Sequence, residues 1–228
     1  MELHVCAAAS LTEALTEAVR QFEEKSPIQV YMHLAGSRIL RIQIEKGLPC
    51  DLFLPAHFQE AEELIRLKIL APKDVVPFLK NELVIISPSG ETRTLNHLKD
   101  IVTMDMDWLA MAHPDYIPAG MYAKEALMKA GVWDLIKERI TFALDVKAAL
   151  AQVAQGHARL GIVYKTDALL SNRVRIVYTI PFALHSPIQY PLCVLRQSGK
   201  ESAAESFQSF LLSERAQRIF IRYGFEVQ

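Results

Sequence analysis

The stretch Leu3-His4-Val5-Cys6-Ala7-Ala8-Ala9-Ser10-Leu11-Thr12-Glu13, residues 3–13, changes from a strand pattern to a helix pattern. Residues 3–9 form an apolar run typical of a buried strand, and apolar residues recur at helical spacing from Leu11 onward. Ser10 and Glu13 have the spacing of a capping box, in which side chains satisfy free backbone N–H groups of the first turn. The stretch therefore predicts a buried strand followed directly by a helix that begins at Ser10.

The alternation of strand and helix continues along the chain. Residues 28–34 predict a second strand before a helix that starts at Gly36-Ser37, and residues 51–54 predict a third strand before a helix over 58–68. The later predicted strands cover 82–87, 108–112, 160–164, 174–180 and 190–195, and the later helices cover 118–130, 145–156, 165–170 and 201–223. Asp145 is predicted to cap the helix over 145–156. Such alternation predicts an α/β fold built on parallel sheets.

The length of the chain suits two lobes. Its 228 residues allow lobes of roughly 100 residues each. No low-complexity linker separates two halves of the chain, so we expect the chain to cross between lobes more than once. Crossings near residues 80–83 and 181–190 would give one lobe from residues 1–81 plus 189–228 and a second lobe from residues 82–188.

The composition argues against several kinds of partner and site. The chain has 25 basic and 26 acidic residues, so it lacks the basic surplus that neutralises a phosphate backbone, and we expect no nucleic-acid partner. No apolar run approaches the roughly 20 residues of a membrane span. Cys6, Cys50 and Cys193 have no CxxC spacing, which favours small buried side chains over a zinc or redox motif and leaves a single disulfide open.

The first residues leave the location of the protein open. Met1-Glu2-Leu3 leads directly into the first apolar run, without a basic segment or a cleavage site. The protein is cytoplasmic if Met1 is the native start. It lies in the periplasm or at the outer face of the cell membrane if a signal segment has been removed.

Several helix starts carry hydrogen-bond donors. The first N–H groups of a helix are free and its N-terminus bears partial positive charge, so this end favours anions. Ser10 and Ser37 add a hydroxyl at two such starts, whereas Ala119 and Val146 offer backbone N–H groups at two others. Tyr164 ends an apolar strand, where residues of open α/β sheets face the ligand crevice. Each feature alone is typical of a cap or a rim residue, but together they predict an oxyanion site without formal charge.

Motifs of common enzyme classes are absent from the sequence. It has no GxSxG elbow, no HExxH and no GxxxxGK[ST] loop. Cys50 and His57 suggest a nucleophile pair only weakly, and a solvated histidine at a helix start is the favoured interpretation. The other histidines considered, His4, His33 and His113, are scattered and suggest no metal cluster. We expect neither catalysis nor a cofactor.

At these residues the chain resembles the molybdate-binding receptors of bacterial ABC uptake systems. The similarity lies in motifs that follow one another in order from about Val5 to Phe225. They are residues 7–11, Gly36-Ser37 with 43–53, residues 118–127, Asp145-Val146, residues 161–164 with Asp167, Tyr190-Pro191 and residues 222–225. Each motif alone is weak, but the ordered set is specific.

The resemblance implies a type II periplasmic-binding-protein fold, in which two α/β lobes close like a hinge on a ligand cleft. It implies that Ser10 and Ser37 donate from one lobe, and that the Ala119 and Val146 N–H groups and the Tyr164 hydroxyl donate from the other. The ligand would be molybdate, and also tungstate, delivered to an ABC transporter permease by a monomeric, non-enzymatic receptor. The alternatives are a cytoplasmic oxyanion sensor or storage protein, a binder of another oxyanion such as sulfate, and a transferase on a related scaffold.

Two residues depart from the family pattern. Arg38 follows Ser37 where the family usually has a small hydroxyl residue, and His113 stands where a small or acidic residue is common. We predict that Arg38 points to solvent and leaves ligand preference unchanged. The other interpretation is that Arg38 reaches the site and alters its selectivity.

Overall fold

The apolar run at the start of the chain forms a buried strand, as its composition predicts. The computed structural model describes residues 1–92, 94–104, 107–196 and 199–228. The strands in these ranges are β1 (Glu2–Ala8), β2 (Gln29–Ala35), β3 (Leu52–Leu54), β4 (Val75–Lys80), β5 (Leu83–Pro88), β6 (Leu109–Ala112), β7 (Ile140–Ala143), β8 (Leu160–Tyr164), β9 (Val174–Thr179), β10 (Gln189–Val194) and β11 (Glu226–Val227).

The α-helices of the same ranges follow most of the strands. They are α1 (Thr12–Glu23), α2 (Ser37–Glu45), α3 (Phe58–Arg66), α4 (Asp100–Thr103), α5 (Pro118–Lys129), α6 (Trp133–Ile136), α7 (Val146–Ala154), α8 (Lys165–Leu169), α9 (Glu201–Leu211) and α10 (Glu214–Arg222). None of the helices in the described ranges is both long enough and apolar enough to cross a lipid bilayer.

The chain forms two compact units, each with its own sheet. Unit 1 comprises Met1–Lys80 and Gln189–Gln228, and unit 2 comprises Asn81–Ile188. The sheet of unit 1 has the order β11-β4-β10-β3-β1-β2, in which β3, β1 and β2 are parallel and β10 is antiparallel to both its neighbours. The sheet of unit 2 has the order β7-β6-β8-β5-β9, in which β7, β6 and β8 are parallel and β5 is antiparallel to β8 and β9.

Apolar side chains fill the space between each sheet and its helices. In unit 1, Phe78 meets Phe220 edge to face with ring centroids 5.0 Å apart. In unit 2, helix α7 lies so close to the sheet that a Cβ on Gly161 would be 2.7 Å from the Val153 side chain. Glycine at position 161 therefore sets how closely α7 can pack against β8.

Several predictions of secondary structure and sheet type need correction. The α/β class is confirmed, but the sheets are mixed rather than parallel. The capping box is wrong: residues 9–11 form a 3₁₀ turn, α1 starts at Thr12, and Leu11, its N-cap residue, makes no side-chain capping bond. The helix predicted over 201–223 is two helices, because Ser213 caps a new helix by accepting a hydrogen bond from Ala216 N at 3.4 Å. Strands β4, β7 and β11 have no counterpart among the strands predicted from the sequence.

Candidate functional site

Two buried serines lie at one edge of the unit 1 sheet. Strands β1 and β2 are parallel and adjacent, and their last residues, Ala8 and Ala35, are paired in register. Ser10 and Ser37 each follow the paired residue by two positions, and both are buried. Because parallel neighbours end at the same edge of a sheet, the register brings the two hydroxyls to the same edge.

The Ser10 hydroxyl is held by a tyrosine that lies far away in the sequence. Its Oγ is 3.0 Å from the hydroxyl oxygen of Tyr190 on β10, and either atom can donate. The Tyr190 ring is fully buried and meets Phe225 edge to face. When Tyr190 donates to Ser10, the serine proton is left to donate to an anion. In that arrangement Ser10 is held in position and remains able to donate.

The Ser37 hydroxyl accepts a backbone hydrogen bond. Ala56 N donates to Ser37 Oγ at 2.9 Å, and Ala56 follows strand β3 by two residues. Ser37 is the first residue of α2, and the first bond of that helix is donated by Leu40 N to Gly36 O at 3.1 Å. A hydroxyl that accepts one bond still has its own proton to donate. Ser37 thus offers an O–H and an N–H at the start of a helix.

The three donors predicted for unit 2 lie at one edge of its sheet. Strands β7, β6 and β8 are parallel, with Ala112 on β6 paired to Ala143 on β7 and Met111 paired to Ile162 on β8. Helix α5 follows β6, helix α7 follows β7, and Tyr164 is the last residue of β8. The parallel arrangement therefore brings the predicted donors to the same end of the sheet.

Ala119 lies in the first turn of helix α5. The first bond of that helix is donated by Met121 N to Ile117 O at 3.0 Å, so Ala119 precedes the intrahelical ladder. Gly120 allows this turn to press against the end of β6. A Cβ at Gly120 would lie 2.7 Å from the Ala112 carbonyl carbon and 2.8 Å from the His113 carbonyl carbon, distances that no real side chain tolerates.

Val146 is the first residue of helix α7. Asp145 caps this helix, because its Oδ1 accepts a hydrogen bond from Ala148 N at 2.7 Å. The capping role predicted for Asp145 is confirmed. The ladder of the helix begins with Ala149 N donating to Asp145 O at 3.1 Å, which leaves the Val146 N–H ahead of it. The Asp145 carboxylate is the acidic group closest in sequence to any of the five predicted donors.

The Tyr164 side chain is buried at the end of β8. Its backbone pairs with Leu83 on β5, and the next residue, Lys165, forms an ion pair with Glu82 and donates its N–H to Glu82 O at 2.9 Å. The Lys165 charge is therefore already paired beside the site. The structure brings the five predicted residues into two sets, Ser10 with Ser37 in unit 1, and Ala119, Val146 and Tyr164 in unit 2.

Neither of these two sets of predicted donors contains a charged or metal-ligating side chain. Arg38, the residue after Ser37, is exposed, as we predicted from its position at the helix start. Over residues 1–92, 94–104, 107–196 and 199–228, no three His, Cys, Asp or Glu side chains group as a metal site would require. The sets therefore consist of hydroxyl and N–H donors.

The weak nucleophile pair from the sequence gains no support. Burial, then the neighbouring Cys6 thiol, raises the pKa of Cys50, whereas a catalytic thiol needs a lowered pKa. His57 is the N-cap residue of α3, where its Nδ1 accepts a hydrogen bond from Gln59 N at 2.9 Å. The favoured interpretation of His57 as a histidine at a helix start is the one that fits this geometry.

Sequence reasoning missed the groups that hold the two serines. Tyr190 was noted only as part of a motif, and its contact with Ser10 spans 180 positions of the chain. Ala56 N was not considered. A local pattern carries no signal for such contacts, because they depend on which strands become neighbours in the sheet.

The sequence matches a known protein family over nearly its whole length. A family model described as bacterial extracellular solute-binding protein matches residues 3–226. The chain belongs to this family. The predicted two-lobed α/β fold of periplasmic binding proteins is thereby confirmed, and solute-binding proteins of this family are binding proteins rather than enzymes.

The chain is also similar to individual solute-binding proteins along nearly its whole length. The chain is 34% identical to the molybdate-binding protein ModA of Escherichia coli (strain K12), over 100% of this chain and 90% of the relative. It is 32% identical to the molybdate-binding protein ModA of Haemophilus influenzae, over 98% of this chain and 89% of the relative. The solved periplasmic molybdate-binding protein of Azotobacter vinelandii superposes with a TM-score of 0.88 at 22% identity, covering 99% of each chain, which shows the shared fold.

Proposed function

We propose that this chain is a receptor that binds molybdate and delivers it to the membrane permease of an ABC transporter. The proposal is supported by the names of the relatives, which are molybdate-binding proteins at 34% and 32% identity over nearly the whole chain. The observation that carries it is the pair of buried serines in unit 1, each held by a hydrogen bond. Ser37 accepts its bond and keeps its own proton available, and Ser10 does the same when Tyr190 donates. In this proposal Ser10, Ser37, Ala119, Val146 and Tyr164 all donate to one anion.

The chemistry of the donors suits a fully deprotonated oxyanion. Molybdate and tungstate carry no proton near neutral pH, so their oxygens only accept hydrogen bonds. Phosphate keeps a proton near pH 7, and that proton would face an N–H or O–H donor. A buried mismatch of this kind costs about 1–3 kcal/mol, which is enough to reject phosphate strongly. We therefore propose that the site also binds tungstate.

Sulfate is excluded from the proposed site by its size. It is deprotonated like molybdate, but it is smaller, so donors held at fixed positions cannot all reach its oxygens. The contacts from Tyr190 to Ser10 and from Ala56 to Ser37 fix two donors in unit 1. Because Arg38 is exposed, we propose that it takes no part in this selection.

The biological setting follows from the proposed role. A receptor for an ABC permease works in the periplasm or at the outer face of the cell membrane, and we propose this location for the mature protein. We also propose that it acts as a monomer and needs no cofactor, because the five donors belong to a single chain.

Calorimetric titration with sodium molybdate, tungstate, sulfate and phosphate tests the proposal. We expect molybdate and tungstate to bind with one-to-one stoichiometry, and sulfate and phosphate to bind at least about 100-fold more weakly, which corresponds to roughly 2.7 kcal/mol. Heat from phosphate equal to that from molybdate, or no heat from any of the four anions, would contradict it.

A matched pair of variants links the binding to the predicted donors. The double variant Ser10→Ala, Ser37→Ala removes both hydroxyls of unit 1 and should abolish measurable molybdate binding. The control Ser202→Ala removes an exposed hydroxyl on helix α9 of the same unit and should bind as the wild type does. If the double variant bound molybdate normally, the two serines would not be donors.

A further inference from the structure

One corner of unit 1 brings together two thiols that the binding function does not use. Cys6 lies in the middle of β1 and is fully buried, whereas Cys50 lies just before β3 and is half-buried. The Cys6 thiol is 4.0 Å from Pro49 O, which belongs to the peptide bond joining Pro49 to Cys50. Both cysteines pack in the same apolar cluster with Leu48 and Phe53.

Backbone contacts keep the two thiols in this corner. Cys50 is the residue that follows Pro49, whose carbonyl oxygen contacts the Cys6 thiol, and Cys50 Sγ lies 3.1 Å from Leu52 O. Both residues are free thiols in the structure. A thiol that contacts the peptide bond of a second cysteine needs only a short movement of that segment for the two sulfurs to meet.

The third cysteine, Cys193, is too far from Cys6 to bridge to it. Cys6 and Cys193 both pair with Phe53, one from each side of strand β3. They are therefore two strand spacings apart, roughly 9.5 Å between Cα atoms. A disulfide needs Cα atoms within about 7 Å, so Cys193 cannot bridge to Cys6 without a change in the sheet.

We propose that Cys6 and Cys50 form a disulfide in an oxidising environment, and that this bond ties β1 to the segment leading into β3. The oxidant is a small-molecule disulfide. The Cys50 thiolate, from the more exposed residue, attacks one sulfur of the oxidant, breaks its S–S bond and releases one small thiolate, which takes up a proton. Cys6 then loses its proton and attacks the Cys50 sulfur, which expels the second small thiol.

Atoms and electrons balance in this thiol–disulfide exchange. Two protein thiols lose two electrons and two protons, and the oxidant becomes two thiols. Burial and the adjacent Cys6 raise the pKa of Cys50, so the first step is slow at neutral pH and faster at alkaline pH. The bond encloses a long stretch of chain between positions 6 and 50, and closing a long loop removes much of the freedom of the unfolded chain.

Oxidation of the native protein with glutathione disulfide, followed by denaturation, alkylation and peptide mapping, tests this proposal. We expect one alkylated cysteine, Cys193, and a linked pair of peptides that contain Cys6 and Cys50. The melting temperature should rise by roughly 5–10 °C and return to its original value after treatment with dithiothreitol.

Two variants serve as a matched pair. Cys193→Ser should still form the bond and leave no free thiol, whereas Cys50→Ser should keep two free thiols and gain no thermal stability. Three alkylated cysteines in the oxidised wild type, a glutathione adduct that stays on Cys50, or a bridge to Cys193 would each overturn the proposal. Because the peptide map is made on the wild type, the result stands even if a variant folds poorly.

Discussion

The two units supply donors of different kinds to the proposed site. In unit 1, Ser10 and Ser37 present side-chain hydroxyls that other groups hold in place. In unit 2, Ala119 and Val146 present backbone N–H groups at the starts of helices, where the sequence controls only how the helix is placed. A hydroxyl can be deleted by mutation, but a backbone N–H can only be moved. The comparison therefore predicts different consequences for mutations in the two units.

The largest effect is expected where a mutation moves a backbone donor. Gly120→Ala would place a Cβ within 2.7 Å of the Ala112 carbonyl carbon, so the first turn of α5 must shift away from β6. A hydrogen bond to a charged ligand contributes roughly 1.5–3 kcal/mol, so losing the donors of this turn should lower the affinity for molybdate by about 100-fold. Calorimetric titration of the variant measures the loss.

The control for this variant is another glycine of unit 2. A Cβ at Gly90 meets nothing within 4 Å, so Gly90→Ala should leave molybdate affinity unchanged. If Gly120→Ala bound molybdate as tightly as Gly90→Ala, the start of α5 would not contribute donors to the ligand.

The second effect comes from deleting a hydroxyl in unit 1. Ser37→Ala removes a proposed donor to the ligand and leaves the Ala56 N–H without its acceptor. We expect a 10- to 100-fold weaker affinity, from an interaction of roughly 1.5–3 kcal/mol with a charged ligand. The unpaired N–H should also lower the free energy of unfolding by about 1–3 kcal/mol, measurable by urea denaturation. Wild-type affinity in a variant with reduced stability would assign Ser37 a structural role alone.

A third, smaller effect tests whether the hydroxyl of Ser10 must be held. Tyr190→Phe keeps the buried ring and its contact with Phe225 but removes the oxygen that lies 3.0 Å from Ser10 Oγ. Because Ser10 could then rotate, we expect affinity to fall by about 3- to 10-fold, in line with roughly 0.5–1.5 kcal/mol for one hydrogen bond. In the Ser10→Ala background the same substitution should have no further effect on affinity. Additive losses in the double variant would show that Tyr190 acts independently of Ser10.

Contacts between residues distant in the sequence, such as Ser10 with Tyr190, could not be predicted from local sequence patterns. The helix start at Ser37 and the Asp145 cap could be predicted, because each depends on residues a few positions apart. The contact of Ser10 with Tyr190 could not, because it depends on β10 returning to the sheet of unit 1 after the whole of unit 2. The capping box at Ser10 failed for a related reason: the residue is in a 3₁₀ turn, and its hydroxyl bonds to a tertiary partner instead of its own helix. Local sequence patterns predicted most of the strands and helices. The contacts between distant residues depend on which strands are neighbours in the sheets.

The smallest effects concern charge beside the donors. Asp145→Asn keeps an oxygen that can cap α7 but removes a negative charge next to the Val146 N–H. We expect molybdate to bind about 2- to 3-fold more tightly, and the gain should shrink as salt is added. Asp145→Ala loses the cap as well and should lower the free energy of unfolding by about 0.5–2 kcal/mol. An Asn variant that binds molybdate more weakly would contradict this interpretation.

Arg38 is expected to matter least. Its side chain is exposed at the start of α2, so Arg38→Ser should change the affinity for molybdate by less than about 2-fold and leave the ranking of the four anions unchanged. Parallel calorimetric titrations of the wild type and the variant measure both. A switch in preference toward sulfate or phosphate would make Arg38 a selectivity residue and would add a charged donor to unit 1.

A crystal structure with bound molybdate would show whether uncharged donors of both units bind one anion, as we propose. We expect a single molybdate whose oxygens lie roughly 2.7–3.2 Å from Ser10 Oγ, Ser37 Oγ, Ala119 N, Val146 N and the Tyr164 hydroxyl. An anion bound by one unit alone, or one coordinated by an arginine or lysine side chain, would show that the proposed site is wrong.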